Sequence, residues 1–281
     1  MSRELTPCQM IERSIHKKYR KELWTPFIAA VKRYELVNAG DNIAVCVSGG
    51  KDSMLLAKLM QLLPRCSDVP FGLKFLVMDP GYAPENRRRI EENAALLQLP
   101  VEIFETDIFD VTGSVEKNPC YLCARMRRGH LYSRAQALGC NKIALGHHFN
   151  DVIETTVMAL FYGAQLQGMM PKLHSTNFPG MELIRPLYCV REDDIIAWAR
   201  TNGLSFLQCA CRLTEAIAEA DGPGPSKRQE IKQLLKTLRR DNPDIEKSVF
   251  RAIHSVCLDT FPGWKAKGEA HSFLERYESE D

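Results

Sequence analysis

The sequence predicts an α/β fold: a mostly parallel sheet flanked by helices, followed by a helical C-terminal extension. Three observations carry this expectation. Short apolar runs with strand character alternate with helical patterns from about residue 43 to residue 187, which implies right-handed β-α-β crossovers and ligands bound beyond the carboxyl ends of the strands. The first such run enters Ser48-Gly49-Gly50-Lys51-Asp52-Ser53 and continues at once as an apolar helix. At 281 residues and 45% hydrophobic, the chain is long enough for one large core with a smaller appendage.

Taken in order, an amphipathic helix over Lys18 to Val37 is ended by Asn38-Ala39-Gly40. The strand 43–47 leads into a helix carrying Met54, Leu55, Leu56, Leu59 and Met60. Strand 73–78 precedes a helix over Glu85 to Gln98, whose Ile90, Ala94 and Leu97 recur at helical spacing. Strand 101–105, helix 125–138, strand 142–146, helix 152–166 and the short strand 183–187 complete the alternation. Beyond Cys209 the strand signal stops. Asp221-Gly222-Pro223-Gly224-Pro225 reads as a linker, and 226–240 and 243–256 as helices. The expected organisation is therefore an N-terminal helical segment (1–40), an α/β domain (41–208) and a cysteine-containing helical extension (209–281).

Composition excludes several classes. Residues 1–25 mix charged and apolar side chains, and no stretch approaches the roughly 18 apolar residues of a membrane span. A soluble, unsecreted, cytoplasmic protein with no membrane partner is expected. In that setting ten cysteines do not make a disulfide framework; Cys46, Cys66, Cys140, Cys189 and Cys257 stand singly and read as inert thiols. The net charge of +2 neither demands nor excludes a nucleic-acid partner, because clustering rather than the total decides.

Two glycines between a buried strand and a helix let successive backbone N–H groups converge on one point, to which the helix adds its positive end. Such a loop binds an anion, phosphate above all; the structural alternative is a tight turn with glycine for steric reasons. The string is neither G-x-x-x-x-G-K-[ST] nor G-x-G-x-x-G. A second constellation is Cys120-x-x-Cys123, spaced to chelate one metal or cluster or to act as a redox pair. Redox pairs open a helix in a thioredoxin-like unit, whereas this one lies within an α/β chain. Structural zinc would need both Cys209 and Cys211 in addition, and an iron–sulfur cluster with one open iron would need only one of them. Third, His147 and His148 at the end of strand 142–146, with Asp151 and Glu154 in the following turn, suit a nucleotide and its Mg²⁺, or else a polar contact and a favourable helix start.

With Arg125-Met-Arg-Arg-Gly-His-Leu-Tyr132, Leu145-Gly-His-His148, Phe161-Tyr-Gly163, Arg185-Pro-Leu187, Arg191-Glu192 and Asp194-Ile195 added, the chain resembles the tRNA 2-thiocytidine synthetase family of PP-loop ATP pyrophosphatases, from about Trp24 to Cys211. The resemblance implies a Rossmann-like PP-loop (adenine nucleotide alpha hydrolase-like) sheet, ATP and Mg²⁺ as cofactors, a [4Fe–4S] cluster held by three cysteines, and sulfur transfer to C2 of a cytidine in tRNA. Carried residue by residue, it places the nucleotide on Ser48, Gly49, Gly50, Lys51, Asp52, Ser53, Met78, Gly146, His147 and Asp151. Asp52, Asp151, Cys120, Cys123 and Arg127 are the expected catalytic residues, and Cys120, Cys123 and either Cys211 or Cys209 the cluster ligands, with Cys211 preferred. Two departures bear on the substrate: Phe149-Asn150 stands where the family has Arg-Asp, and Cys209-Ala-Cys211 where it has Cys-x-x-Cys.

The chemistry follows from the carbonyl. A pyrimidine C2=O leaves poorly, so AMP must first be attached to its oxygen, after which sulfur displaces AMP. Sulfide on an open iron and a persulfide on one cysteine both satisfy this, and a cysteine desulfurase or free sulfide would supply it. An adenylating amide-forming ligase and a nucleotide sensor closed by four thiolates are the readings from other classes. Arg125, Arg127, Arg128 and Arg134, and the Lys/Arg stripe 227–240, could meet RNA; the stripe equally reads as a solvated face. A homodimer is left open.

Overall fold

In the computed structural model, residues 4–108, 119–207 and 226–277 are described, the side chains of 119–124 excepted. Six strands form one sheet: β1 (Asn42–Val47), β2 (Gly72–Asp79), β3 (Val101–Glu105), β4 (Lys142–Ala144), β5 (Lys172–His174) and β6 (Glu182–Ile184). Their order is β3-β2-β1-β4-β6-β5, parallel throughout except for β5, which pairs antiparallel at the edge. Ile43, Ala44, Val45, Cys46 and Val47 are all buried, as a central parallel strand covered on both faces requires.

The helices that matter to the site are α3 (Lys51–Leu62) after β1, α4 (Pro84–Leu96) after β2, α5 (Pro119–Ala137) before β4, α6 (Phe149–Gly163) after β4 and α7 (Glu192–Thr201) after β6. Two shorter helices, α1 (Pro7–His16) and α2 (Thr25–Arg33), open the chain. The single N-terminal helix expected over Lys18 to Val37 is thus broken and begins earlier. Thr6 and Gln9 form a reciprocal capping box that starts α1, and Pro26, which has no N–H to return to the previous turn, follows a widened π-helical turn at Arg20–Trp24. Lys58, inside the otherwise apolar α3, is 1% exposed. Its Nζ donates to Glu12 Oε1 (2.6 Å), Gln61 Oε1 (2.8 Å) and the Leu97 carbonyl (3.0 Å), which pins α1 to α3.

The described residues divide into two compact units, one of residues 1–152 and 169–226 and one of residues 153–168 and 227–281. The second holds α8 (Lys227–Asp241), α9 (Ile245–Ala252), the strands β7 (Gly263–Ala266) and β8 (Glu269–Ser272), and a last turn of helix at Leu274–Tyr277. The antiparallel hairpin corrects the expectation that strands end before Cys209. Its two-residue turn, Lys267 (φ 52°) and Gly268 (φ 88°), has positive φ at both positions, the conformation that matches strand twist. The 221–225 linker lies outside the described residues. Among the described residues no helix is long and apolar enough to cross a membrane.

Candidate functional site

The strand order reverses between β1 and β4: β2 and β3 lie to one side, β6 and β5 to the other. Loops leaving the carboxyl ends of β1 and β4 therefore diverge and leave a crevice between them. Ser48-Gly49-Gly50 follows β1 there, and Leu145-Gly146-His147-His148 follows β4. Gly49 has φ +85°, and a Cβ on it would stand 2.6 Å from Ile90 Cγ1, so both conformation and space demand glycine. Gly50 is the N-cap of α3 and supplies no side-chain cap, leaving the first-turn N–H groups available for an anion. The loop is closed by Ser53, whose Oγ accepts from the Ser48 N–H (3.1 Å) and donates to the Gly50 carbonyl (2.9 Å). Gly146 lets the second loop touch the first: a Cβ there would lie 3.1 Å from the Ser53 nitrogen and 3.2 Å from the Asp52 carbonyl carbon.

These loops line a cavity of about 250 Å³. Of the expected residues, Ser48, Gly50, Asp52, Ser53, Met78, Arg127, Gly146 and His147 all contribute to its wall. Three stand behind it: Gly49 packs on Ile90, Lys51 turns to Glu192, and Asp151 turns to His148. Tyr82 and Leu131 also line the cavity and were not singled out, because a lone tyrosine after a strand and a leucine on a helix carry no spacing signal.

Charge in the crevice is arranged around Lys51. Its Nζ bonds Asp52 Oδ2 (3.0 Å) and Glu192 Oε1 (3.1 Å). Burial pulls the ammonium pKa down, but the two carboxylates outweigh it and hold the group above the ordinary lysine value. The other Asp52 oxygen, Oδ1, is buried without a hydrogen-bond partner, with His148 Nε2 3.8 Å away. His148 and Asp151 form a reciprocal cap at the start of α6: the His148 N–H donates to Asp151 Oδ2 (2.9 Å), and the Asp151 N–H donates to His148 Nδ1 (3.3 Å). The Asp151 carboxylate thus holds the loop that carries His147 and His148.

The two departures from the family pattern have local explanations. Asn150 Oδ1 accepts from the Glu192 N–H (3.0 Å) and so caps α7, a task that needs an acceptor but no charge. Phe149 is buried beneath the Arg191 guanidinium, 4.7 Å from the ring centroid.

The cysteine pair sits in the first turn of α5. Positions 120, 123, 127 and 131 follow helical spacing, and Arg127 and Leu131 of that row line the cavity. Cys209 and Cys211 lie outside the described residues. Leu207 is buried, and its N–H donates to the Gly49 carbonyl (3.2 Å). No group of three or more metal-binding side chains occurs among the described residues.

The profile of the PP-loop domain matches residues 17–212. The chain belongs to the PP-loop family. It is 36% identical over 232 residues to the tRNA-cytidine(32) 2-sulfurtransferase of Citrifermentans bemidjiense, covering 81% of this chain and 87% of that protein. The enzyme of the same name from Cellvibrio japonicus is 34% identical over 255 residues, or 88% of this chain and 80% of the relative. Among solved structures, the U34-tRNA thiolase NcsA from Methanococcus maripaludis with its [4Fe-4S] cluster aligns with a TM-score of 0.64 at 20% identity, covering 86% of this chain and 80% of the thiolase. That likeness is one of fold. The PP-loop sheet and the family expected from the residues are those of the chain.

Proposed function

We propose that this PP-loop protein is an ATP-dependent tRNA thiolase of the cytoplasm, which activates the C2 carbonyl of a cytidine with AMP and replaces its oxygen by sulfur. The observation that supports this most is that the phosphate loop and the helix of Cys120 and Cys123 line one crevice, with Leu207 tied to the same loop. Arg127 and Leu131 of the 120–123–127–131 row line the cavity, and Leu207 is tied to Gly49. Cys209 follows Leu207 by two residues and Cys211 by four, so at most roughly 7 Å and 14 Å of extended chain separate them from Leu207. The relatives' names supply tRNA and cytidine as the substrate.

The loop N–H groups, with Lys51, would take the triphosphate. The buried, unsatisfied Oδ1 of Asp52 suits a hard cation, so Asp52 would hold Mg²⁺, whose charge offsets that of the departing pyrophosphate. In the first step an O–P bond forms from the cytidine O2 to the α-phosphorus and the α–β phosphoanhydride breaks, releasing pyrophosphate. In the second, sulfide adds at C2 and AMP leaves with the original oxygen. Arg127, on the cavity wall, would offset the charge of the phosphate that leaves with AMP. A [4Fe–4S] cluster on Cys120, Cys123 and Cys211 or Cys209 would supply a coordination position for the sulfide, as the thiolase neighbour's cluster suggests. A cysteine desulfurase or free sulfide would renew it.

The test is iron and acid-labile sulfide per chain after anaerobic reconstitution, together with 2-thiocytidine formed in a tRNA transcript. Cys120→Ala and Cys123→Ala should both lose iron, as should one of Cys211→Ala and Cys209→Ala, and none of these three should thiolate. Iron lost in none of the four sinks the cluster; equal loss in all four means a fully ligated cluster without an open position. Colourless protein holding zinc in all would return the site to structure.

A further inference from the structure

Helix α8 carries six cations. Arg228 reaches Thr155 Oγ1 (3.2 Å) and Glu154 Oε2 (3.9 Å), Arg239 lies 3.5 Å from the buried Glu246, and the Lys227 ammonium sits 4.0 Å over the Tyr162 ring. These three fasten the helix within its own unit. Lys232, Lys236 and Arg240, spaced i, i+4, i+8, are all exposed.

The rotation of the helix is set by its buried residues, Ile231 and Leu235. At about 100° per residue, the row lies roughly 100–180° around from Ile231, with Gln229 inside that arc, Gln233 just beyond it and Arg239 just before it. The helix's two carboxylates, Glu230 and Asp241, fall outside the row, roughly 80–100° beyond Arg240. A merely solvated face intersperses its signs; this sector carries one sign only. Successive cations are about 6 Å apart along the axis, on the scale of neighbouring phosphates of one strand. Ile231 and Leu235 are buried while Leu234 and Leu238 are exposed, so only half of the apolar face of α8 is free, less than a helix lying on a membrane presents.

We infer that the Lys232–Lys236–Arg240 row is a docking surface for the phosphate backbone of the RNA substrate, giving affinity and register without reading bases. The inference rests on the tRNA reading above. Gln229 and Gln233 extend the surface with neutral donors for phosphate or sugar oxygens.

The experiment compares the full-length protein with its Lys232→Ala/Lys236→Ala/Arg240→Ala variant, titrating a tRNA transcript with cytidine at position 32 between 50 and 200 mM salt. The variant should bind about 100-fold more weakly at 0.1 M salt, with a log–log salt slope shallower by about two, as expected for three lost phosphate contacts. Its ATP affinity and unfolding temperature should match the wild type, and Lys232→Arg/Lys236→Arg/Arg240→Lys should restore binding. Should the alanine variant fold poorly, Lys236→Gln and Arg240→Gln singly carry the same test, each taking about 0.7 off the slope. Unchanged affinity and slope overturn the proposal. So does loss confined to the pelleting of anionic lipid vesicles, which would make the row a membrane contact. A wild type that binds ATP but no tRNA overturns the proposal by removing its substrate, and that result is distinct from a variant that binds as well as the wild type.

Discussion

Helix α3 has twelve residues and buries nine of them; α8 has fifteen and buries two. The first is clasped on all sides, even its lysine being enclosed, so the loop at its N-terminus is anchored on something that cannot turn. The second is held along one line by two apolar side chains and a few ion pairs. The contrast teaches where each kind of task can be built. Positioning phosphates for a reaction needs fixed geometry, supplied by buried backbone and glycines that tolerate no substitute. Meeting a polyanion by charge needs only that cations stay on one side, which a lightly held helix provides.

The comparison can be broken at several points. Gly49→Val should do most damage, because a β-branched residue at φ +85° with an overlap against Ile90 combines backbone strain with overpacking. A loss of about 3 kcal/mol or more in denaturant unfolding is expected, together with loss of ATP binding. Lys58→Met leaves Glu12 without its 2.6 Å partner inside the α1–α3 contact and should cost about 3 kcal/mol, measured by the same titration. Asp52→Ala should keep the unfolding midpoint but lower AMP formation by about 10²-fold or more; turnover at the wild-type rate would remove Asp52 from the reaction. Leu235→Ala, on the α8 side, should cost about 2 kcal/mol, read from the indole resonance of Trp264 in the same unit. Glu12→Gln breaks the Lys58–Glu12 pair from its other side, leaving the buried Lys58 ammonium with neutral acceptors only, and is read through its pH dependence. Burial raises the Glu12 pKa, but hydrogen bonds from Arg65 and Lys58 outweigh it and hold the carboxyl below its usual value of 4.5. Its contribution is therefore present above about pH 4.5 and lost as pH falls through the depressed pKa. The variant's stability should accordingly be flatter than the wild type's below that pH.

Legibility followed the same division. The strands of the central sheet and the phosphate loop could be read because a doubly covered strand is an unbroken apolar run and the loop demands particular residue types. Met78, Gly146 and Arg127, named through the family resemblance, line the cavity. What could not be read depends on partners distant in sequence. Asn150 looks like a weakened carboxylate until Glu192 arrives 42 residues later for it to cap. β4 stops at Ala144, two residues short of the expected end, because Gly146 must leave the ladder to lie against α3. The edge strand β5 and the hairpin β7–β8 were missed: each strand is only three or four residues long, too short for a period to show, and the turn carries Lys-Gly rather than Asn-Gly.

Cys46, enclosed beside the phosphate loop, has a consequence for chemical footprinting. Burial first, then the nearby Cys140, pushes its thiol up to about 12, so at pH 8 only about one molecule in ten thousand carries the thiolate. Burial also raises Cys140 and Cys189. A soft electrophile such as iodoacetamide, applied to the native protein, will therefore pass these three by even though Cys46 lines the cavity. Cys257 and Cys66, both exposed, set the background. Against it, the difference in labelling of Cys120, Cys123, Cys209 and Cys211 before and after anaerobic iron reconstitution tests the proposed ligand set, peptide by peptide, in a single mass spectrum.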